Sequence, residues 1–179
     1  MTAIHIKFPA LTLKAGPRAL ARIRQQGLHP REVGTLPGAA GGPKALGIQG
    51  LDLALFGEWL PSAPRERSLI GASVGSWRFA SACLPDAAEG IRRLGQLYNA
   101  QSFAKGVTMA QISQSSRRML EDLLEGRDAS ILDNPHYRLN IMVVKSHGLL
   151  ADDHRGRLGL GLSSVIADNL RGRARLARH

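Results

Sequence analysis

The stretch SLIGASVGSWRFA, residues 68–80, carries the clearest structural signal in the sequence. Its opening residues, 68–72, form an apolar run that predicts a buried β-strand, and residues 75–83 predict the helix that follows. The junction Gly71-Ala72-Ser73-Val74-Gly75 fits the pattern G-x-S-x-G of a nucleophile elbow, a strained strand-to-helix turn that lifts a serine hydroxyl clear of the backbone. Glycine suits both flanking positions, because larger side chains would clash across so tight a turn.

Strand-like and helix-like runs alternate on both sides of this stretch. Residues 31–36 and 138–145 predict two more strands, the second of which contains the continuous apolar run 141–144. Helices are predicted at residues 17–26, 45–60, 87–100 and 108–125, and the residues after 156 are helix-compatible. This alternation predicts an α/β fold, a mostly parallel sheet flanked by helices, with the functional site at the carboxyl ends of the strands.

A glycine-rich turn precedes the predicted helix at residues 45–60. This glycine turn, residues 37–42 (PGAAGG), is followed by Pro43 and Lys44, and the helix after it is apolar on most sides, which predicts burial. The turn lacks the G-x-x-x-x-G-K-[ST] order of a P-loop and the G-x-G-x-x-G order of a dinucleotide site. Two interpretations remain: a plain strand-to-helix turn, or an oxyanion hole whose backbone N–H groups stabilise the oxygen charge formed during attack on a carbonyl.

Together the two motifs resemble the patatin-like phospholipase family. In that family a G-G-G-x-[RK]-G turn precedes a helix, and a G-x-S-x-G elbow follows about one helix and one strand later. Residues 40–45 and 71–75 line up with these motifs in order and spacing, with Ala40 and Ala45 where the family has glycine, so that residues 36–83 carry most of the resemblance. The resemblance implies a three-layer α/β/α domain and a serine acyl-ester hydrolase acting on lipids. Its implied site residues are Ser73 as the nucleophile, Gly41 and Gly42 as the oxyanion-hole donors, and Lys44, Gly71 and Gly75 in support.

The resemblance also implies a Ser-Asp dyad, whose aspartate lies downstream in a D-G-[GA] motif. This chain contains no Asp-Gly pair, and the nearest substitutes are Asp152 and Asp153, which a surface turn also explains. We therefore expect residues 1–179 to form the N-terminal portion of one such domain. A serine without an activating base is a weak nucleophile, so the activity of the isolated chain depends on whether it supplies one.

Two other functions are compatible with the sequence. A Ser-Asp-His triad could use Ser73, Asp133 and either His147 or His154, although a lone histidine near a strand end is more often structural. The second function is that of a non-catalytic module, which binds anionic lipid or nucleic acid through its arginine-rich end. Arg78, shortly after the elbow serine, is expected to face solvent.

Composition limits the remaining choices. The 179 residues carry a net charge of +10, which suits an anionic membrane surface, and residues 171–179 form a basic tail that is expected to be disordered. Aromatic residues make up 4% of the chain and none lies in the tail, so no specific nucleic-acid binding is expected. The one cysteine, Cys83, argues against a structural zinc site and an oxidising compartment. We expect a cytoplasmic protein, peripheral at the membrane, that binds no cofactor or metal; the sequence does not predict its oligomeric state.

Overall fold

The computed structural model describes Thr12, residues 14–151 and residues 154–172, and of Arg155 only the backbone. Within these residues the helices and strands alternate in the order that the sequence predicts. The helices are α1 (Pro17–Gln26), α2 (Gln49–Ala54), α3 (Val74–Ala82), α4 (Ala87–Ala100), α5 (Met109–Leu124), α6 (Asp128–Leu132) and α7 (Arg155–Arg171). The strands are β1 (Thr35–Gly38), β2 (Arg67–Ala72) and β3 (Tyr137–Met142).

The three described strands form one parallel sheet in the order β1-β2-β3. Gly38 pairs with Gly71, and Ala72 pairs with Met142, so the carboxyl ends of all three strands lie at one edge of the sheet. Because β2 lies in the middle, the residue that follows it is flanked by the loops that follow β1 and β3. The sequence-based prediction of an α/β fold with a parallel sheet is confirmed.

The core is formed where α3 lies against all three strands. Leu69 of β2 is fully buried, and Phe79 of α3 is 2% exposed. The ring of Phe56 makes edge-to-face contacts with Phe79 at 5.9 Å and with Tyr137 at 5.7 Å between ring centroids. These rings join the helical segment after the glycine turn to the elbow helix and to β3, so the elements that carry the two motifs share one core.

Helices α4 and α5 each begin at a residue whose side chain caps the helix. The Asp86 side chain accepts a hydrogen bond from the backbone N–H of Glu89 at 2.8 Å, and Thr108 forms a capping box with Gln111. Both helices turn their apolar stripes inward, as the burial of Ile91 in α4 and of Leu123 in α5 shows.

The first strand lies later in the chain than predicted. Residues 30–32 form a 3-10 turn that begins at Pro30, and β1 spans Thr35–Gly38 rather than residues 31–36. Pro37, expected in the turn, is therefore a strand residue. A proline lacks the N–H group of a ladder bond, but β1 is an edge strand of the described sheet, where such a gap is tolerated.

The predicted helix at residues 45–60 is helical but irregular. A 3-10 segment, Gly42–Ile48, leads into α2, and a π-helical segment, Leu55–Trp59, follows it. Ile48 is 40% exposed, so the prediction that this helix is buried holds for its later part, where Phe56 and Leu60 are buried, and is wrong for its start.

The apolar run at the end of the third strand is not buried. Strand β3 ends at Met142 rather than at residue 145, and Val143 and Val144 are 83% and 95% exposed. The sequence pattern assumed a partner on each side of this strand, whereas β3 is an edge strand of the described sheet.

Two expectations concern other parts of the chain. Residues 173–179 of the predicted basic tail lie outside the described residues. Among the helices that the structure describes, none has the length and apolar character needed to cross a membrane.

Candidate active site

Ser73 sits at the turn between β2 and α3 in a backbone conformation that few residues adopt. It is the N-cap of α3, with φ 52° and ψ −125°, and its side chain makes no capping hydrogen bond. Within the described residues, Glu125, at the end of α5, is the other non-glycine residue with positive φ. A serine held in this region costs about 1–3 kcal/mol and persists because the surrounding structure enforces it. The residue is exposed at the carboxyl edge of the sheet.

The glycines on either side of Ser73 are required by backbone contacts. A Cβ atom at Gly71 would lie 2.5 Å from the Cα of Ser76, and one at Gly75 would lie 2.1 Å from the carbonyl oxygen of Gly38. No side chain fits at either distance. The clash that the sequence analysis expected across the turn is thus present, and at Gly75 it is a clash with the strand that leads into the glycine turn.

This contact places the glycine turn beside the start of α3. Gly42 has φ 54°, which favours glycine, whereas Gly41 has φ 175°, which any residue adopts. Ala40, which stands where the patatin-like motif has glycine, has no positive φ. The alanine is therefore compatible with the conformation of the turn.

The amides of Gly41 and Gly42 donate no hydrogen bond within the described part of the chain. Gly42 is the first residue of a 3-10 segment, so its N–H precedes the internal hydrogen bonds of that segment. Lys44 follows, exposed, and its backbone N–H donates to the Gly41 carbonyl oxygen at 3.3 Å. Unpaired amides at a helix start, near a cation and the amino end of α3, favour an anion at this edge.

No base contacts the Ser73 hydroxyl within the described residues, where this hydroxyl has no hydrogen-bond partner. Asp152 and Asp153, the candidate bases, lie outside these residues. His147 and His154 both follow β3 and are exposed.

Asp133 is wrong as a partner of Ser73, and the triad built on it does not form. It precedes β3, at the amino end of the sheet, and the adjacent Asn134 donates to the carbonyl oxygen of Cys83 at 2.9 Å. Cys83 caps the far end of α3, about 15 Å from Ser73 at 1.5 Å per residue, so the length of the helix separates Asp133 from Ser73.

Arg78 does not face solvent, contrary to expectation. Its side chain is 13% exposed and forms a bidentate ion pair with Asp52, whose side chain is 3% exposed. Both N–O distances, from Nε and Nη2, are 2.6 Å. The sequence did contain a signal for this pair, because Asp52 is an isolated acid between Leu51 and Leu53 in an apolar helix.

A cavity of 470 Å³ lies at the opposite, amino end of the sheet, lined by Arg67 and Tyr137. Arg67 is 1% exposed, and its guanidinium donates to four backbone carbonyl oxygens, those of Pro30, Val33, Ala63 and Arg65. Burial lowers the pKa of Arg67 and raises that of Tyr137. The donors of Arg67 are thus directed at the protein backbone rather than at a ligand.

The described residues contain no group of three or more histidine, cysteine, aspartate or glutamate side chains that could hold a metal ion.

Comparisons with known proteins place no relative beside this chain: it matches no protein-family model, no curated protein and no solved structure. The likeness to patatin-like phospholipases therefore rests on the two motifs of residues 36–83. What that likeness implies for activity belongs to the proposal below.

Proposed function

We propose that this chain is a serine acyl-ester hydrolase of the patatin-like type, with lipid esters as substrates. The observation that carries the proposal is the backbone of Ser73, held at φ 52° between two glycines that admit no side chain. A turn that needs no special residue would not hold a serine there. The unpaired amides of Gly41 and Gly42, on a turn that touches Gly75, supply the second element of an acyl-transfer site.

In the proposed reaction, the Oγ of Ser73 attacks the ester carbonyl carbon and its proton passes to an aspartate. The negative oxygen of the tetrahedral intermediate accepts hydrogen bonds from the N–H groups of Gly41 and Gly42. The intermediate collapses, the C–O bond of the leaving alcohol breaks, and the aspartate returns the proton to that alcohol. Water then attacks the acyl-serine, and the same aspartate takes and returns a proton as the acid is released.

We assign the base to Asp152 or Asp153, because both follow β3, and the loop after β3 begins at the edge that carries Ser73. The proposal includes the three-layer α/β/α arrangement of the patatin-like domain. It also includes peripheral contact with anionic membrane, which the net charge of +10 supports. A cytoplasmic location and the absence of a cofactor follow from the same proposal.

Covalent labelling with a fluorophosphonate, read by intact mass, tests the nucleophile. We expect one adduct on the parent chain and none on Ser73→Ala. Ser76→Ala is the matched control, because Ser76 lies on the same helix, is buried, and its Oγ has no hydrogen-bond partner in the described structure. A parent chain that stays unlabelled, or a Ser73→Ala variant that labels normally, contradicts the proposal.

Hydrolysis of nitrophenyl esters tests the base. Asp152→Asn and Asp153→Asn are compared, and we expect one of them to lower kcat by about a thousandfold while the other retains most activity. His147→Ala and His154→Ala serve as controls that a dyad enzyme tolerates. If a histidine variant loses activity and both aspartate variants keep it, the dyad assignment is wrong.

A further inference from the structure

The two helices that carry the candidate site are joined by a buried ion pair. Arg78 lies in the second turn of α3, whose N-cap is Ser73, and Asp52 lies in α2, which the 3-10 segment Gly42–Ile48 connects to the glycine turn. The pair is bidentate, at 2.6 Å for both N–O distances. A planar guanidinium that meets a carboxylate in this way fixes orientation as well as distance.

A second polar contact holds the same face of α2. Gln49, three residues before Asp52 and therefore on the same side of the helix, donates from Nε2 to the carbonyl oxygen of Ile91 in α4 at 2.8 Å. A Cβ atom at Gly95 of α4 would lie 2.2 Å from that Nε2 atom, so α4 leaves room for the amide. Helix α2 is thus tied to α3 by an ion pair and to α4 by an amide.

With these contacts, the glycine turn is fixed to α3 at both of its ends. At its start, Gly38 is paired in the sheet, and its carbonyl oxygen lies against Gly75 of α3. At its end, the chain runs through the 3-10 segment into α2, where Asp52 binds Arg78 of the same helix α3. Both ends of the turn are therefore held against α3, the helix that Ser73 caps.

We infer that Arg78 and Asp52 are positioning residues, which set the distance between the amides of Gly41 and Gly42 and the hydroxyl of Ser73. The inference rests on the proposed function, because it assigns those amides and that hydroxyl to one reaction. Neither residue touches the substrate. The pair matters for rate because a displacement of about 1 Å at reacting groups can lower a rate about a hundredfold.

Labelling rates and melting temperatures of three variants test the inference on the full chain. Asp52→Asn leaves the Arg78 cation buried without its partner, so we expect a lower melting temperature and a labelling rate at Ser73 lowered about ten- to a hundredfold. The double variant Asp52→Asn/Arg78→Met removes both charges, so we expect the melting temperature to recover while the labelling rate stays low. Arg78→Lys keeps the positive charge but cannot form the bidentate pair. We expect its labelling rate to lie between those of the parent chain and of Asp52→Asn.

Leu123→Ala is the matched control for stability, because Leu123 is fully buried on α5, outside the ion pair and the glycine turn. It should lower the melting temperature and leave the labelling rate unchanged below that temperature. With an ester substrate, the positioning role predicts that kcat falls and KM changes less than about threefold. If the double variant recovers its labelling rate together with its melting temperature, the pair is only structural and the inference is overturned.

Hydrogen exchange separates failure of this inference from failure of the proposed function. In the double variant, the hydrogen-bonded amides of residues 44–48 should exchange at least about tenfold faster than in the parent chain, while those of β2 keep their protection. A parent chain that never labels refutes the proposed function and leaves this exchange result to decide the positioning role. Unchanged exchange at residues 44–48 overturns the inference, whatever the activity.

Discussion

The two ends of the sheet treat their polar groups in opposite ways. At the amino end, Arg67 is 1% exposed and donates to four backbone carbonyl oxygens, and Asn134 links the start of β3 to the end of α3. At the carboxyl end, the amides of Gly41 and Gly42 have no acceptor in the described structure and Ser73 is strained and exposed.

The polar groups at the amino end stabilise the fold through hydrogen bonds within the protein. Those at the carboxyl end remain available to a ligand. The amino end buries a cation and satisfies it with backbone oxygens, which makes it costly to disturb. The carboxyl end has a strained serine and two amides without a protein acceptor, an arrangement that contributes little to stability and that the proposed reaction would use. The cavity of 470 Å³ beside Arg67 lies at the amino end, away from Ser73.

The largest effect is expected at the amino end, from Arg67→Met. The methionine fills the apolar part of the site, but four backbone carbonyl oxygens lose their donor. We expect the free energy of unfolding to fall by about 4 kcal/mol, measured by urea denaturation. Arg18→Met, at an exposed position of α1, is the control and should change it by less than about 0.5 kcal/mol. Equal losses of unfolding free energy at the two positions would mean that the hydrogen bonds from Arg67 to the carbonyl oxygens do not stabilise the fold.

The next largest effect is expected at the carboxyl end, from Gly75→Ala. Its methyl group would lie 2.1 Å from the Gly38 carbonyl oxygen, so the glycine turn must move away from α3. We expect a loss of about 3 kcal/mol in unfolding free energy and a large loss of Ser73 labelling. Gly47→Ala is matched to it, because no atom lies within 4 Å of the added methyl group. A Gly75→Ala variant that labels at the parent rate would show that the contact between Gly75 and Gly38 is not needed for the reactivity of Ser73.

At the amino end, the buried thiol of Cys83 makes the free energy of unfolding depend on pH. Burial raises the pKa of its thiol from 9.0 to about 12. The unfolded chain therefore releases this proton at lower pH than the folded chain, so this contribution to stability is complete below pH 9.0 and is lost as the pH rises toward 12. Between pH 8 and 10 we expect the free energy of unfolding to fall by about 1.4 kcal/mol from this group.

The measurement is a pair of urea titrations at pH 8 and pH 10 on the parent chain and on Cys83→Ala. The alanine variant starts from a lower stability, because it loses a buried side chain, and should lack this part of the decrease. An identical decrease in both proteins would assign the pH dependence to other groups.

The sequence predicted the carboxyl end better than the amino end, for a physical reason. The elbow and the glycine turn depend on local backbone geometry, and glycine spacing records such geometry directly, so Gly71, Ser73 and Gly75 could be found from a short motif. Partners of Arg67 and Arg78 are distant in the chain: Pro30 and Val33 for one, Asp52 for the other. A single sequence does not pair such residues, which is why Arg78 was expected in solvent.

The errors in the sheet have a similar origin. The apolar run at residues 141–144 has the pattern of a buried strand, yet its exposure depends on which neighbours flank it, and a strand's own residues do not specify them. Asp133 satisfied the order of a triad but lies at the wrong end of the sheet, since chain order does not encode the end at which a loop emerges.

The smallest effect is a gain in stability from Ser73→Gly. Glycine adopts φ 52° without the steric cost that serine bears, and no capping hydrogen bond is lost, because the Ser73 side chain makes none. After the greater entropy of glycine in the unfolded chain is subtracted, we expect the unfolding free energy to rise by about 1 kcal/mol. Ser73→Ala removes the same hydroxyl but keeps a Cβ atom, so it should show no such gain. Calorimetry on the parent and both variants makes the comparison: a gain shared by the two would trace it to the hydroxyl, whereas a gain in the glycine variant alone would trace it to the backbone that holds the serine in place.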